Sequence, residues 1–178
     1  GGEGGGGHLR GGVLVQRGKT AAAQRFERRA TGAPVCGVEA GRAGCMRVVQ
    51  RLTEDRSIYL ANSMNSLRVE GQKTISLEMV QQFDWEVPDW IIIPGGNLGN
   101  VSALAKGLDM LVDLGLISGR PRIVCAQAQN ANPPYLAYQK DFKVFEPIAA
   151  RTTLAPAIQI GNLVPYEKAA YALRRFAG

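Results

Sequence analysis

The residues best suited to chemistry form a glycine-rich segment, G-G-N-L-G-N, between an apolar run and an amphipathic stretch. A turn of this kind at a helix N-terminus presents unpaired backbone N–H groups, and the helix dipole there favours an anion. Glycine allows positive φ and close approach to a ligand, while an asparagine can cap the helix or donate from its amide. We predict a phosphate site formed by Gly95, Gly96, Asn97, Leu98, Gly99 and Asn100.

Other phosphate-binding patterns fit the 95–100 loop less well. The loop is not followed by G-K-[ST], as a nucleoside triphosphate site would require, and its glycines do not fall in the G-x-G-x-x-G register of a dinucleotide site. A plain glycine-rich connection between a strand and a helix remains the alternative when this segment is considered alone.

Composition argues against several other classes of function. Residues 1–44 hold seven Lys/Arg against three Asp/Glu, or +4 of the net charge of +6, but their arginines lie among Gly and Ala with Phe26 as the one aromatic residue. Such a segment lacks the footprint of a nucleic-acid surface. No apolar run approaches the ~20 residues of a membrane span, and no charged-then-apolar leader opens the chain. We expect a soluble protein with neither a nucleic-acid nor a membrane partner.

Metal chemistry is not predicted either. The three cysteines, Cys36, Cys45 and Cys125, show no C-x-x-C spacing, and the single histidine, His8, lies in a glycine run. A reducing compartment is expected, with Cys125 as a small apolar residue of a strand.

Strand and helix patterns alternate from residue 44 onward, which is typical of βαβ units. Strands are predicted at residues 57–61, 90–93 and 122–126, and helices at 70–83, 100–116, 133–139 and 165–176. The continuous β-branched run at 90–93 indicates a strand covered on both faces. The predicted fold is a three-layer α/β architecture with a mainly parallel sheet.

The composition changes near residue 44. Thirteen of the 22 glycines lie in residues 1–44, where no apolar periodicity persists. Such a segment buries too little to offset its ordering entropy, so we predict a largely disordered Gly/Arg-rich head at 1–44 and one partial domain at 45–178.

Four segments carry a resemblance to a known family: I-Y-L-A-N-S-M-N-S-L-R-V-E-G-Q-K-T at 58–74, Q-Q-F-D-W-E-V-P-D-W-I-I-I-P-G-G-N-L-G-N at 81–100, R-I-V-C-A-Q-A at 122–128 and A-I-Q-I-G-N at 157–162. From about residue 45 to 175 the chain resembles plant-type threonine synthases, which are fold type II, tryptophan-synthase-β-like enzymes dependent on pyridoxal phosphate. This resemblance covers well under half of a full family enzyme.

The resemblance implies that the 95–100 loop holds the phosphate of pyridoxal 5′-phosphate, and that Asn62, Ser63 and Arg68 bind the phosphate of O-phosphohomoserine. The family enzyme is a carbon–oxygen lyase acting on a phosphate ester, which converts O-phospho-L-homoserine and water to L-threonine and phosphate. For full-length relatives the resemblance implies a homodimer and activation by S-adenosylmethionine. It also implies a place in the chloroplast stroma, although no transit peptide is visible, and the alternative location is the cytoplasm.

The family binds its cofactor covalently through a lysine in an S-F-K-like context upstream of the phosphate loop. None of the six lysines, Lys19, Lys73, Lys106, Lys140, Lys143 and Lys168, matches that context. We therefore assign no catalytic residue and expect a weakly active or inactive fragment, with residues 1–44 departing from the family as a misread exon would. The alternative is a non-catalytic phosphate-ligand or dimerisation module.

Overall fold

The computed structural model describes residues 11–16, 32, 34–39, 42–54, 58–61, 65–163 and 166–176. Contacts divide the chain into two compact units, Gly1–Leu60 and Ala61–Gly178, and each is described by itself. The candidate phosphate loop belongs to the second unit.

The described residues of the first unit form two short parallel strands and one helix. Strand β1 (Val13–Gln16) pairs with β2 (Val35–Val38), and helix α1 (Arg42–Leu52) packs on β1. The sequence pattern did not predict these two strands, because each has four residues, too few for periodicity to show. The largely disordered head at 1–44 stays a prediction. Helix α1 crosses the predicted boundary at 44/45, and the division into 1–44 and 45–178 stays a prediction.

The second unit begins with a helical corner where one helix was predicted. Helices α2 (Ser66–Gln72) and α3 (Thr74–Gln82) meet at Lys73. The Thr74 hydroxyl donates to the carbonyl of Gly71 at 2.8 Å, and these two residues have low helix propensity, which accounts for the break. At residues 58–61, which span the boundary of the two units, no strand forms, against prediction; Ser57 lies outside the described residues.

The strands of the second unit flank a long helix. Strand β3 (Trp90–Pro94) and β4 (Arg122–Ala126) pair in parallel, with Ile91 opposite Ile123, and helix α4 (Gly99–Asp113) connects them. The core forms between one face of this sheet and the helices, where Leu104, Leu108 and Ile123 are at most 3% exposed. The predicted α/β order with parallel strands is confirmed.

The opposite face of β3 is open to solvent. Trp90 is 51% and Ile92 70% exposed, whereas Ile91 and Ile93 pack against the core. The prediction of a strand covered on both faces is therefore wrong for the described residues. An apolar run favours a strand, but it does not state which element covers each face.

Two predicted helices near the C-terminus are confirmed. Helix α5 (Pro133–Tyr138) has proline in its first turn, and α6 (Tyr166–Arg175) packs on α4. Pro165, predicted to start the second of these, lies outside the described residues. Across the described residues, every helix is too short or too polar to cross a membrane.

Candidate phosphate-binding site

The 95–100 loop joins the carboxyl end of β3 to the first turn of α4 and is fixed at both ends. The Gly95 N–H donates to the carbonyl of Ala126 at 2.7 Å, which continues the ladder between β3 and β4. The Asn100 side-chain amide donates to the carbonyl of Pro94 at 2.8 Å, which ties the first helical turn to the end of the strand. The loop therefore has a defined shape before any ligand binds.

The residue with left-handed backbone geometry is a leucine. Leu98, the N-cap of α4, has φ 60° and ψ 2°, while none of Gly95, Gly96 and Gly99 has positive φ. The prediction that these glycines serve positive φ is wrong. A non-glycine residue there costs about 1–2 kcal/mol, and burial of the Leu98 side chain, 1% exposed, offsets this cost.

Two of the glycines pack closely against neighbouring side chains instead. A Cβ at Gly95 would collide with the Sγ of Cys125, and one at Gly96 would lie 3.0 Å from Cγ2 of Ile158. A Cβ at Gly99 would meet no protein atom within 4 Å. Packing therefore explains the first two glycines and leaves the third without a protein reason.

A run of backbone donors is left without acceptors. Among the described residues, no hydrogen bond is donated by the N–H groups of residues 96–101, and the first bond of α4 runs from the Ser102 N–H to the Leu98 carbonyl at 3.1 Å. Of the two roles predicted for an asparagine, capping does not occur, because the N-cap is Leu98, which has no side-chain acceptor. Asn100 does donate from its side-chain amide, to the carbonyl of Pro94. These donors and the positive end of the helix dipole form an anion site that fits a phosphate group.

The strand beneath the loop contributes two further residues. Burial raises the pKa of the Cys125 thiol from 9.0 to about 11, so this side chain is a neutral, apolar wall at physiological pH. Gln127 donates from Nε2 to the Gly95 carbonyl at 3.4 Å and accepts from the Tyr135 N–H at 3.2 Å. Sequence reasoning missed Gln127; its place just after the carboxyl end of a parallel strand could have indicated it.

The predicted substrate-phosphate residues are only partly described. Arg68 lies on the first turn of α2, exposed, and no ion pair of the described residues involves it. Asn62 and Ser63 lie outside the described residues. The N-cap of α2 is Asn65, whose Oδ1 accepts from the Leu67 N–H at 2.9 Å. The structure thus leaves one exposed guanidinium at the start of α2.

The described lysines lie mostly in ion pairs. Lys73 and Lys106 both contact the Glu70 carboxylate, while Lys140 and Lys143 pair with Glu146 and Asp141. Lys168 is exposed on α6, and Lys19 lies outside the described residues.

Two cavities are present near these elements, and no residue of the 95–100 loop lines either. One of about 430 Å³ lies among α2, α4 and α6 and is called the helix cavity below. The other, about 780 Å³, is polar and lies at the opposite ends of β3 and β4, around Trp90 and Arg122. The residues of the loop are buried or half-buried and lie outside both cavities, so the unpaired N–H donors identify the site better than an enclosed volume does.

A family model described as pyridoxal-phosphate dependent enzyme matches residues 8–178. The match begins far before residue 45, so the resemblance reaches further toward the N-terminus than the four sequence segments indicated. The expectation that all of residues 1–44 depart from the family is wrong from residue 8 onward, because short strands separated by glycine-rich sequence hide the pattern there.

Two curated relatives match nearly the whole chain. It is 50% identical over 167 residues to threonine synthase 2, chloroplastic, of Arabidopsis thaliana, covering 93% of this chain and 32% of that protein. It is 38% identical over 166 residues to threonine synthase of Methanocaldococcus jannaschii, covering 93% and 41%. The chain thus spans about a third to two-fifths of the length of these relatives.

Two solved structures share the fold. The crystal structure of T.th. threonine deaminase matches with a TM-score of 0.73 at 18% identity, over 94% of this chain and 52% of that one. Maize serine racemase matches with a TM-score of 0.73 at 21% identity, over 94% and 47%. The predicted fold type II α/β architecture is confirmed.

Proposed function

The chain belongs to the pyridoxal-phosphate dependent enzymes, and from that premise we propose that its 95–100 loop binds the phosphate of pyridoxal 5′-phosphate within a threonine synthase. The unpaired N–H groups of residues 96–101 are the observation that carries this proposal. When bound, the cofactor supplies an electron sink for bond cleavage next to the substrate amine. The residues of this chain hold its phosphate and leave room for it at the turn.

The loop fits a phosphate in both donor number and space. Several N–H groups converge at the positive end of a helix of 15 residues, and hydrogen bonds to a charged acceptor are about twice as strong as neutral ones. The open space at Gly99 lets an anion approach the backbone, because no protein atom lies within 4 Å of a Cβ placed there.

On the substrate side we propose that Arg68, with Asn62 and Ser63, binds the phosphate of O-phospho-L-homoserine. Arg68 is exposed at the start of α2, so its guanidinium fork is available to phosphate oxygens. The two curated relatives are named threonine synthase, which supports L-threonine as the product. The substrate and the carbon–oxygen lyase reaction that releases phosphate are proposed from the family resemblance.

The remaining partners are proposals that follow from the family resemblance. We propose a homodimer, activation by S-adenosylmethionine and a chloroplast location for a protein of the full family length. The plant relative is named chloroplastic, which supports the location.

For this chain by itself we propose little or no turnover, with no catalytic lysine among the six. Four of the five described lysines are ion-paired to carboxylates, which favours the second candidate function, a module that binds a phosphate ligand without catalysis.

Binding of pyridoxal 5′-phosphate and of pyridoxal, each measured by calorimetry, tests the phosphate site. Pyridoxal lacks the anion, so we expect clearly tighter binding of the phosphorylated form. Equal affinities would contradict the site. Borohydride treatment followed by peptide mapping should label no single lysine, and O-phospho-L-homoserine should release no phosphate. One uniquely labelled lysine, or sustained phosphate release, would refute the inactive assignment.

A further inference from the structure

The corner between α2 and α3 is docked closely on α4. The Ser76 hydroxyl, fully buried, donates to the carbonyl of Leu104 at 2.8 Å. A Cβ at Gly107 would collide with the carbonyl of Lys73 and lie 2.6 Å from the Ser76 Oγ. Glycine at this position in the middle of α4 therefore sets how near the corner can approach.

A carboxylate on α2 makes a second link between the same elements. Glu70 contacts Lys106 of α4 through Oε1 and Lys73 through Oε2 at 2.9 Å. All three side chains are a quarter to half exposed, so each pair contributes modestly to stability. Their geometry nevertheless orients the end of α2 against α4.

The elements that this packing joins carry both candidate phosphate sites. Helix α4 begins at Gly99, and its contacts at Leu104 and Gly107 lie about 8 and 12 Å further along its axis at 1.5 Å per residue. Arg68 lies five residues before Lys73 on the docked helix, and this places it about 8 Å from the corner.

The first turns of the two helices also border one space. Ser66, the first residue of α2, and Ser102, in the first turn of α4, both line the helix cavity of about 430 Å³. The start of α2, which holds Arg68, therefore lies within one cavity's width of the turn that follows the 95–100 loop.

We propose that the Ser76–Gly107 contact is a positioning element that fixes Arg68 relative to the 95–100 loop. The inference rests on the proposed function, in which Arg68 binds the substrate phosphate and the loop binds the cofactor phosphate. Gly107 and Ser76 are positioning residues: they touch neither ligand and act through the placement of α2. The ion pairs of Glu70 with Lys73 and Lys106 help to keep α2 in its orientation against α4.

The test compares Gly107→Ala with Gly71→Ala in the full chain. Both replace a helical glycine, but a Cβ at Gly71 meets no atom within 4 Å. Ser76→Ala, which removes the buried hydrogen bond without adding volume, keeps the test decisive where Gly107→Ala does not fold. The measurements are affinity for O-phospho-L-homoserine, affinity for pyridoxal 5′-phosphate, and amide hydrogen exchange of α2.

For Gly107→Ala and Ser76→Ala we expect faster exchange in α2, O-phospho-L-homoserine affinity lower by about fivefold or more, and cofactor affinity unchanged within about twofold. Gly71→Ala should match the parent chain in all three. Unchanged α2 exchange and substrate affinity would overturn the inference. A parent chain that binds no O-phospho-L-homoserine would instead refute the substrate assignment. In that case the hydrogen exchange of α2 tests the positioning role of Ser76 and Gly107 by itself, and unchanged exchange in the variants would overturn it.

Discussion

Replacing Gly99 or Gly95 by alanine separates a ligand site from a packing requirement within one loop. Both glycines lie at the junction of β3 and α4, and neither has positive φ. A Cβ at Gly95 collides with the Sγ of Cys125, whereas a Cβ at Gly99 meets no protein atom within 4 Å. The two substitutions add the same methyl group to different surroundings, so each is the control for the other.

The stability effects should differ in sign. Gly95→Ala forces a methyl group into a packed junction, and such overpacking costs about 1–3 kcal/mol. Gly99→Ala adds the methyl at the first residue of a helix with room for it, and it should stabilise by up to about 1 kcal/mol through the unfolded chain. Urea unfolding followed by the fluorescence of Trp85 and Trp90 measures both.

Gly99→Ala should weaken the binding of pyridoxal 5′-phosphate although it stabilises the fold. If the open space at Gly99 is where phosphate oxygens approach the N–H groups, a methyl there prevents at least one charged hydrogen bond, worth about 1.5–3 kcal/mol. Affinity for pyridoxal 5′-phosphate should fall by about tenfold to a hundredfold.

Calorimetric titration with pyridoxal 5′-phosphate and with pyridoxal provides the assay. We expect Gly99→Ala to lose the preference for the phosphorylated form while its unfolding midpoint holds or rises. A Gly99→Ala chain that keeps the parent preference would refute the reasoning, because the glycine would then serve neither packing nor ligand. A loss of stability equal to that of Gly95→Ala would refute it as well.

Two further predictions concern the sheet beneath the loop. Because burial raises the pKa of Cys125 from 9.0 to about 11, the unfolded chain ionises first as pH rises, and stability that is complete below pH 9 is lost between pH 9 and 11. Urea unfolding should show that the free energy of unfolding of the parent chain falls by about 2–3 kcal/mol over this pH range, and that of Cys125→Ala should not show this loss. If the free energy of unfolding changes equally with pH in both chains, the buried thiol is contradicted. Ile123→Ala, at a fully buried position, should cost about 2–5 kcal/mol, and Ile92→Ala, 70% exposed, about 1 kcal/mol or less. Equal losses of stability in the two variants would contradict a sheet with one buried and one exposed face.

The phosphate loop could be located from sequence because its determinants are local. A β-branched run, a glycine-rich turn and an amphipathic helix are adjacent in the chain, and their order by itself places N–H donors at a helix N-terminus. Strand β3 and helices α4, α5 and α6 were predicted for the same reason. What each glycine does in the loop was not predictable, since it depends on Cys125 and Ile158, which approach from distant parts of the chain.

The features that sequence did not predict also depend on contacts between distant parts of the chain. The left-handed geometry of Leu98 has no sequence signal, because leucine adopts it only where burial offsets the strain. The exposure of Ile92 depends on whether another element packs on that face of β3. The apolar run predicts a strand, but it does not show which element packs on each face. Strands β1 and β2 became visible only through their pairing with each other.

Gly107 shows how a tertiary requirement can still leave a trace in sequence. It lies among Ala105, Lys106 and Leu108, in a helix where alanine would be about 1 kcal/mol more favourable. A glycine kept at such a position indicates either a bend or a close backbone approach. Since α4 continues through it and the Lys73 carbonyl lies against it, approach is the reason here. The intrinsic cost of this glycine is offset because it lets the corner after α2, the helix that carries Arg68, lie close to the helix that begins at the phosphate loop.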